Sequence, residues 1–287
     1  MDDLRSRLAP ANLTRADLSR RGFIATSIGA GFAAAVQPVC AETMIMTDTN
    51  GLTAGMVDVP TADRAIPAYR AMPAKGHRHP IALVVQEVFG VHEHIKDLCR
   101  RLAKDGYCAI APDLYVRQGS TMQMTDLKEI LAFVAKVPDA QVIGDLDASL
   151  AWASKNGGNA AKTVITGFCW GGRIVWLYSE HNPKVRAGVA WYGRVVGPTD
   201  SLHPKNPIDQ IGVLKVPVLG LYGGQDASIP ADSLEQMRKV MPKSCDIISY
   251  PNAPHGFNAD YRPSYRADAA LDGWNRMLTW FKTHGAA

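Results

Sequence analysis

The chain has 287 residues, 47% hydrophobic and 20% charged, with 25 Gly and 18 Pro. It is too apolar for a disordered tail and too aperiodic for collagen. Its 31 Lys plus Arg against 27 Asp plus Glu leave a formal charge of only +4, without the basic stripe of a nucleic-acid protein, and five Cys make no disulfide scaffold.

Ser19-Arg20-Arg21-Gly22-Phe23-Ile24 is a twin-arginine pattern followed by a short apolar stretch, Ala25 to Val36. That stretch is too short to span a bilayer. Val39-Cys40-Ala41 fits a small-x-small cleavage site. Residues 1–41 therefore resemble a twin-arginine export signal, which makes the export machinery a partner and a periplasmic or secreted location the destination. Cleavage after Ala41 leaves no stable membrane insertion. Residues 42–55 are small and polar and are expected to form a flexible stalk, leaving 56–287 as one domain.

Apolar runs then alternate with helical patterns. Ile81 to Val85 reads as a buried strand. Ile95, Leu98, Cys99, Leu102 and Ala103 share a helical face. Tyr107 to Ala111 is the next strand. Asp139 to Asn156 reads as a helix closed by Gly157-Gly158. Lys162 to Thr166 is a strand and Gly172 to Ser179 a helix. Val185 to Trp191 and Val216 to Leu221 are further strands. Ser233 to Met241 is a helix, Asp246 to Tyr250 a strand, and Trp274, Met277, Leu278 and Phe281 mark a last helix. Such alternation implies an α/β domain with a mostly parallel sheet covered on both faces.

Gly167-Phe168-Cys169-Trp170-Gly171-Gly172 lies where a strand turns into a helix. It is a G-x-nucleophile-x-G elbow with Cys as nucleophile. A helix N-terminus beneath Cys169 favours a thiolate, and the N–H of Trp170 can face an oxyanion. An orienting acid and a base should follow in that order. Asp226, in Tyr222-Gly223-Gly224-Gln225-Asp226, and His255, in Asn252-Ala253-Pro254-His255-Gly256-Phe257, each follow a predicted strand. Open α/β sheets place their sites at those strand ends. Tyr192, in Trp191-Tyr192-Gly193-Arg194, also ends a strand and could line the substrate pocket.

From about residue 55 the chain resembles the dienelactone hydrolase family of α/β-hydrolases. The segments that carry the resemblance are Gln86-Glu87-Val88-Phe89-Gly90, Ala111-Pro112-Asp113-Leu114-Tyr115, the elbow, Gly223-Gly224-Gln225-Asp226 and Pro254-His255-Gly256-Phe257. The resemblance implies the α/β-hydrolase fold and hydrolysis of small esters or lactones. It implies Cys169 as nucleophile, His255 as base and Asp226 as its orienter. It makes Glu87 the partner of the resting thiol, Val88 the second oxyanion N–H, and Arg117 the reader of a substrate carboxylate. It calls for no metal or organic cofactor. The family's second arginine, four residues past the base, is replaced here by Ala259, and the nearest arginine is Arg262.

The same triad permits a broader thioesterase or acyl transferase, and the fold permits a non-catalytic binding protein. The pairs His77/His79 and His92/His94 fall in predicted loops without a completing ligand and read as surface histidines. Cys99, Cys108 and Cys245 read as buried free thiols. A monomer is expected.

Overall fold

A computed structural model of the chain describes residues 40 and 42–286. The twin-arginine pair and the expected cleavage point after Ala41 lie outside the described residues. Among the described residues, no helix is long and apolar enough to cross a membrane.

Eight strands form one sheet. They are β1 Leu52–Pro60, β2 Ala65–Pro73, β3 His79–Val85, β4 Cys108–Pro112, β5 Gly158–Phe168, β6 Ala187–Trp191, β7 Val218–Gly223 and β8 Asp246–Tyr250. The spatial order is β1-β2-β4-β3-β5-β6-β7-β8. β1 and β2 form an antiparallel hairpin, β2 meets β4 antiparallel, and the other pairings are parallel. The helices are α1 Glu93–Lys104, α2 Leu127–Val134, α3 Asp139–Lys155, α4 Trp170–His181, α5 Pro207–Gln210, α6 Ala231–Val240 and α7 Ala267–Thr283. This is the mostly parallel α/β sheet that the alternation predicts, in the α/β-hydrolase architecture that the family resemblance implies.

The strands behave as their composition dictates. Ile81 to Val85 is buried at every position, because a central parallel strand has a covered face on each side. The predicted face of α1 is the one it buries.

Four elements are absent from the expected pattern: β1, β2, α2 and the short α5. In β1 only Val59 is buried, so the edge strand carries almost no hydrophobic signal. In α2 only Ile130 and Val134 are buried, and the helix starts instead at a polar cap, Asp126, whose side chain accepts from Lys128 N.

Residues 42–55 depart from the expected stalk. Thr43 Oγ1 donates to Asp260 O at 2.5 Å, and Thr47 N to Asp97 Oδ1 at 2.6 Å. Met44 is buried, and residues from Leu52 onward are already in β1. Side-chain and backbone pairing at a few polar positions, invisible to hydropathy, anchors the segment.

Glu180 in α4 has both carboxylate oxygens buried without a hydrogen-bond partner. Burial pushes its acid up to about 8. Its folded value lies above its unfolded value, so the protonated acid's contribution is complete below about pH 4.5 and is lost as pH rises through 8. Glu180→Gln is expected to stabilise the protein by up to about 4 kcal/mol at pH 8 and by almost nothing at pH 4. Thermal melts of both proteins at the two pH values check this. An equal gap at both would remove the titration argument.

Candidate active site

The elbow forms because glycines permit an approach that no side chain would. A Cβ on Gly171 would lie 2.5 Å from Gln86 O, and one on Gly167 2.4 Å from Gly171 O. Strand β5 and helix α4 therefore close on each other around Cys169. That residue is left at φ 58°, a backbone region that L side chains rarely adopt. Such strain persists only where surrounding packing imposes it. Here Cys169 N donates to Trp191 O at 3.0 Å, and Cys169 O accepts from Gly172 N at 3.0 Å. Trp170 is the first residue of α4, where an N–H has no acceptor within the helix.

Asp226 follows β7 and His255 follows β8. His255 Nδ1 lies 2.6 Å from Asp226 Oδ2. An ionised carboxylate only accepts, so Nδ1 carries the proton and Nε2 is left for the thiol side. The other carboxylate oxygen accepts from Ser228 Oγ at 2.6 Å and Ser228 N at 2.9 Å. Ser228, two residues past the acid, was not singled out in the sequence. Burial opposes protonation of His255, but its interactions with Cys169 and the Asp226 carboxylate outweigh it and raise the imidazole to about 10. Cys169, His255 and Asp226 are thus brought together, in the order expected.

Tyr192 is also in place. It is fully buried at φ 39°, with its ring edge-on to His255 at 5.1 Å. Its hydroxyl has no hydrogen-bond partner. Val88 is buried just beyond the end of β3.

Three expectations are corrected, for Arg117, for the partner of Glu87 and for His92 and His94. Arg117 is engaged by protein carboxylates rather than left open for a substrate. Its guanidinium is held by Asp145 Oδ2 at 2.6 Å, by Asp63 Oδ1 at 2.6 Å and by Thr61 Oγ1 at 3.0 Å. Two carboxylates occupy most of the fork and tie the β1–β2 turn to α3, leaving one Nη1 hydrogen without a partner among these contacts. Arg262 enters the site instead. Its Cζ lies 5.6 Å from the Phe89 ring centroid, and its Nη1 would stand 3.1 Å from a Cβ at Gly256, beside the imidazole. Burial works against its charge, but Tyr261, Glu87 and Cys169 more than restore it. The irregular loop after β8 lets an arginine seven residues past His255 reach where Ala259, buried in the core, cannot.

Glu87 lies at the site but is bound elsewhere than expected. Its Oε2 accepts from Tyr261 OH at 2.7 Å and pairs with His92 Nε2 at 3.3 Å, while Oε1 is buried with no hydrogen-bond partner. His92 and His94 are accordingly not surface histidines: both are buried, beside Glu87 and Asp260. The preceding turn folds them inward. Cys99, Cys108 and Cys245 are buried free thiols, as expected.

The sequence profile of the dienelactone hydrolase family matches residues 66–285. A Methylorubrum extorquens protein named "Putative carboxymethylenebutenolidase" is 57% identical, over 99% of this chain and 98% of its own length. An Escherichia coli protein of the same name is 51% identical, over 91% of this chain and 98% of its own. A crystal structure titled "Putative Dienelactone Hydrolase", from Klebsiella pneumoniae, is 52% identical and superposes with a TM-score of 0.79, covering 80% of this chain and 98% of that one. The chain belongs to the dienelactone hydrolase family and is a hydrolase on the α/β-hydrolase fold.

Proposed function

We propose that the protein hydrolyses small esters or lactones of the carboxymethylenebutenolide type through a thioester on Cys169. The observation that carries this reading is a cysteine at φ 58° on the strand-helix elbow, beside a histidine held at 2.6 Å by a buried aspartate.

The chemistry follows from those positions. The Cys169 thiolate attacks the acyl carbonyl. The N–H groups of Trp170 and Val88 take the oxyanion. His255, protonated by the thiol, gives that proton to the departing alkoxide or enolate, so the ring-opened acyl group stays as a thioester. His255 then removes a proton from water, the resulting hydroxide displaces the thiolate, and the acid leaves. Asp226 fixes the tautomer throughout. Arg262 pairs with a carboxylate on the substrate, and Tyr192 lines the pocket against His255.

A thiolate–imidazolium pair suits activated acyl groups, because a thiolate is a better nucleophile than leaving group only where the departing oxygen is stabilised. The enolate released by a dienelactone meets that need. Assay of the purified protein against a carboxymethylenebutenolide lactone, an aryl ester and an acyl thioester tests the reading. Turnover of lactone and ester supports it; turnover of the thioester alone would move the assignment to a thioesterase.

Export by the twin-arginine route is part of the same proposal. Arg20→Lys with Arg21→Lys should retain the protein in the cytoplasm, scored by fractionation and N-terminal sequencing. An intact N-terminus on active cytoplasmic wild type would overturn it.

A further inference from the structure

The segment from Thr43 to Thr47 meets the loop after β8 and helix α1 at the two ends of one buried ion chain. Thr43 Oγ1 has a single proton. It lies 2.5 Å from Asp260 O and 3.1 Å from Cys40 O, so the stronger hydrogen bond goes to Asp260. The Asp260 carboxylate is bound by Arg101 at 2.5 Å, and Arg101 in turn by Asp97 at 2.5 Å. Asp97 then accepts from Thr47 N at 2.6 Å, which closes a ring. Asp260, Arg101 and Asp97 are all buried. Met44, between the two threonines, is buried as well, and Ile45 shares a small pocket with Arg101, Asn258, Tyr265 and Trp274. Cys40 N adds a bond to Tyr261 O at 2.9 Å.

The two carbonyls that this strap holds belong to Asp260 and Tyr261, the residues immediately before Arg262. Within the loop, Arg262 N donates to Ala259 O at 3.0 Å and Tyr265 N to Arg262 O at 3.0 Å. Those turn bonds fix the local bend, and the strap fixes where the bend sits. Among the described residues, the Arg262 guanidinium has no ion pair of the kind that fixes Arg117 and Arg173. It rests 5.6 Å from the Phe89 ring centroid, so its reach into the site is set by its backbone. His255, earlier on the same loop, has its own anchor in Asp226 at 2.6 Å.

We propose that Thr43 is a positioning residue, through which the amino-terminal strap holds Arg262 within reach of a substrate carboxylate and so sets selectivity for carboxylated substrates. The inference rests on Arg262 being the carboxylate reader. Without the Thr43 hydroxyl, the loop divides its population among positions of which only one presents the guanidinium, and apparent affinity falls by that fraction. Turnover of bound substrate is spared, because Asp226 still holds His255. An export cut after Ala41 removes Cys40 but leaves Thr43 and Thr47 in place.

The test is steady-state kinetics of the full chain on a carboxylated lactone and its neutral ester analogue. The proteins are wild type, Thr43→Val, Thr43→Ser, Arg262→Ala and the double variant of Thr43→Val with Arg262→Ala. Valine keeps the shape and deletes the donor. It should lower kcat/KM for the carboxylated lactone by about 2- to 12-fold, the worth of one hydrogen bond, through KM and with the neutral ester little changed. Serine restores the donor and should restore the wild-type ratio of the two substrates. In the Arg262→Ala background, Thr43→Val should not change that ratio further. Asp48→Asn weakens the same segment's hold on Lys104 but touches neither loop carbonyl, and should leave the ratio alone. An unchanged ratio in Thr43→Val, failure of serine to rescue, or a change that survives Arg262→Ala would overturn the proposal. Thr43→Ala carries the same prediction should Thr43→Val misfold. A selective loss in Arg262→Ala with none in Thr43→Val sinks this inference alone; no selective loss in Arg262→Ala sinks the carboxylate reading and this inference with it.

Discussion

Cys169→Ala is expected to lower kcat/KM for an activated lactone or ester by at least about 10⁴-fold, with the melting temperature little changed. Only one sulfur atom is removed, from a half-buried position, and alanine meets the same backbone restriction at φ 58° that cysteine already tolerates. The elbow glycines, the Trp191 O contact and α4 are untouched. What disappears is the sulfur that, with Asp226, raises His255 to about 10. The imidazole in the variant should therefore titrate lower, which an NMR pH titration of His255 can read alongside the kinetics. Near-wild-type turnover by the alanine variant would end the nucleophile assignment.

Arg262→Ala is expected to cost about 10- to 150-fold in kcat/KM on a carboxylated lactone, and far less on its neutral ester analogue. The figure is one charge-assisted hydrogen bond, about 1.5–3 kcal/mol. Arg117→Ala should leave the ratio of the two substrates unchanged, since its guanidinium is already engaged by Asp63 and Asp145. Its effect should fall on stability, through the two carboxylates left behind. Measuring both substrates on both variants gives a ratio of ratios that separates the two arginines. A selective loss in Arg117→Ala, with none in Arg262→Ala, would reverse the assignment made from the geometry.

The contrast between these arginines shows where sequence reading stops. Cys169, Asp226 and His255 were legible because each sits just past a predicted strand, and a parallel sheet brings successive strand ends together. Glycines at 167 and 171 marked the elbow for a steric reason that the structure confirms to the atom. Arg262 was not legible, because it is carried by an irregular loop in which spacing does not set direction. Position four after the base holds Ala259, and the loop's path places the guanidinium three residues later. Arg117 occupies a matching sequence position, but its partners lie 54 and 28 residues away in the chain. No local pattern announces a long-range ion pair.

The same limit explains the histidines and the amino-terminal segment. His92 and His94 look like loop residues until Glu87, Tyr261 and Asp260 are seen to surround them. Thr43 and Thr47 carry no hydrophobic signal, yet their hydrogen bonds join the segment to Asp260 and Asp97. Buried polar networks depend on partners distant in sequence, and are the part of a fold that periodicity does not encode. Strand β1 was missed for the opposite reason, being an edge with too little buried to leave a pattern.

The central claim is a thioester on Cys169, and acyl trapping tests it most directly. Wild-type protein mixed with an excess of an activated ester and quenched in acid within the first turnovers should carry one acyl group. Peptide mass spectrometry should place that mass on the fragment containing Cys169, and neutral hydroxylamine should remove it. Sustained turnover with the acyl group on another residue, or turnover unaffected by complete alkylation of Cys169, would contradict the account.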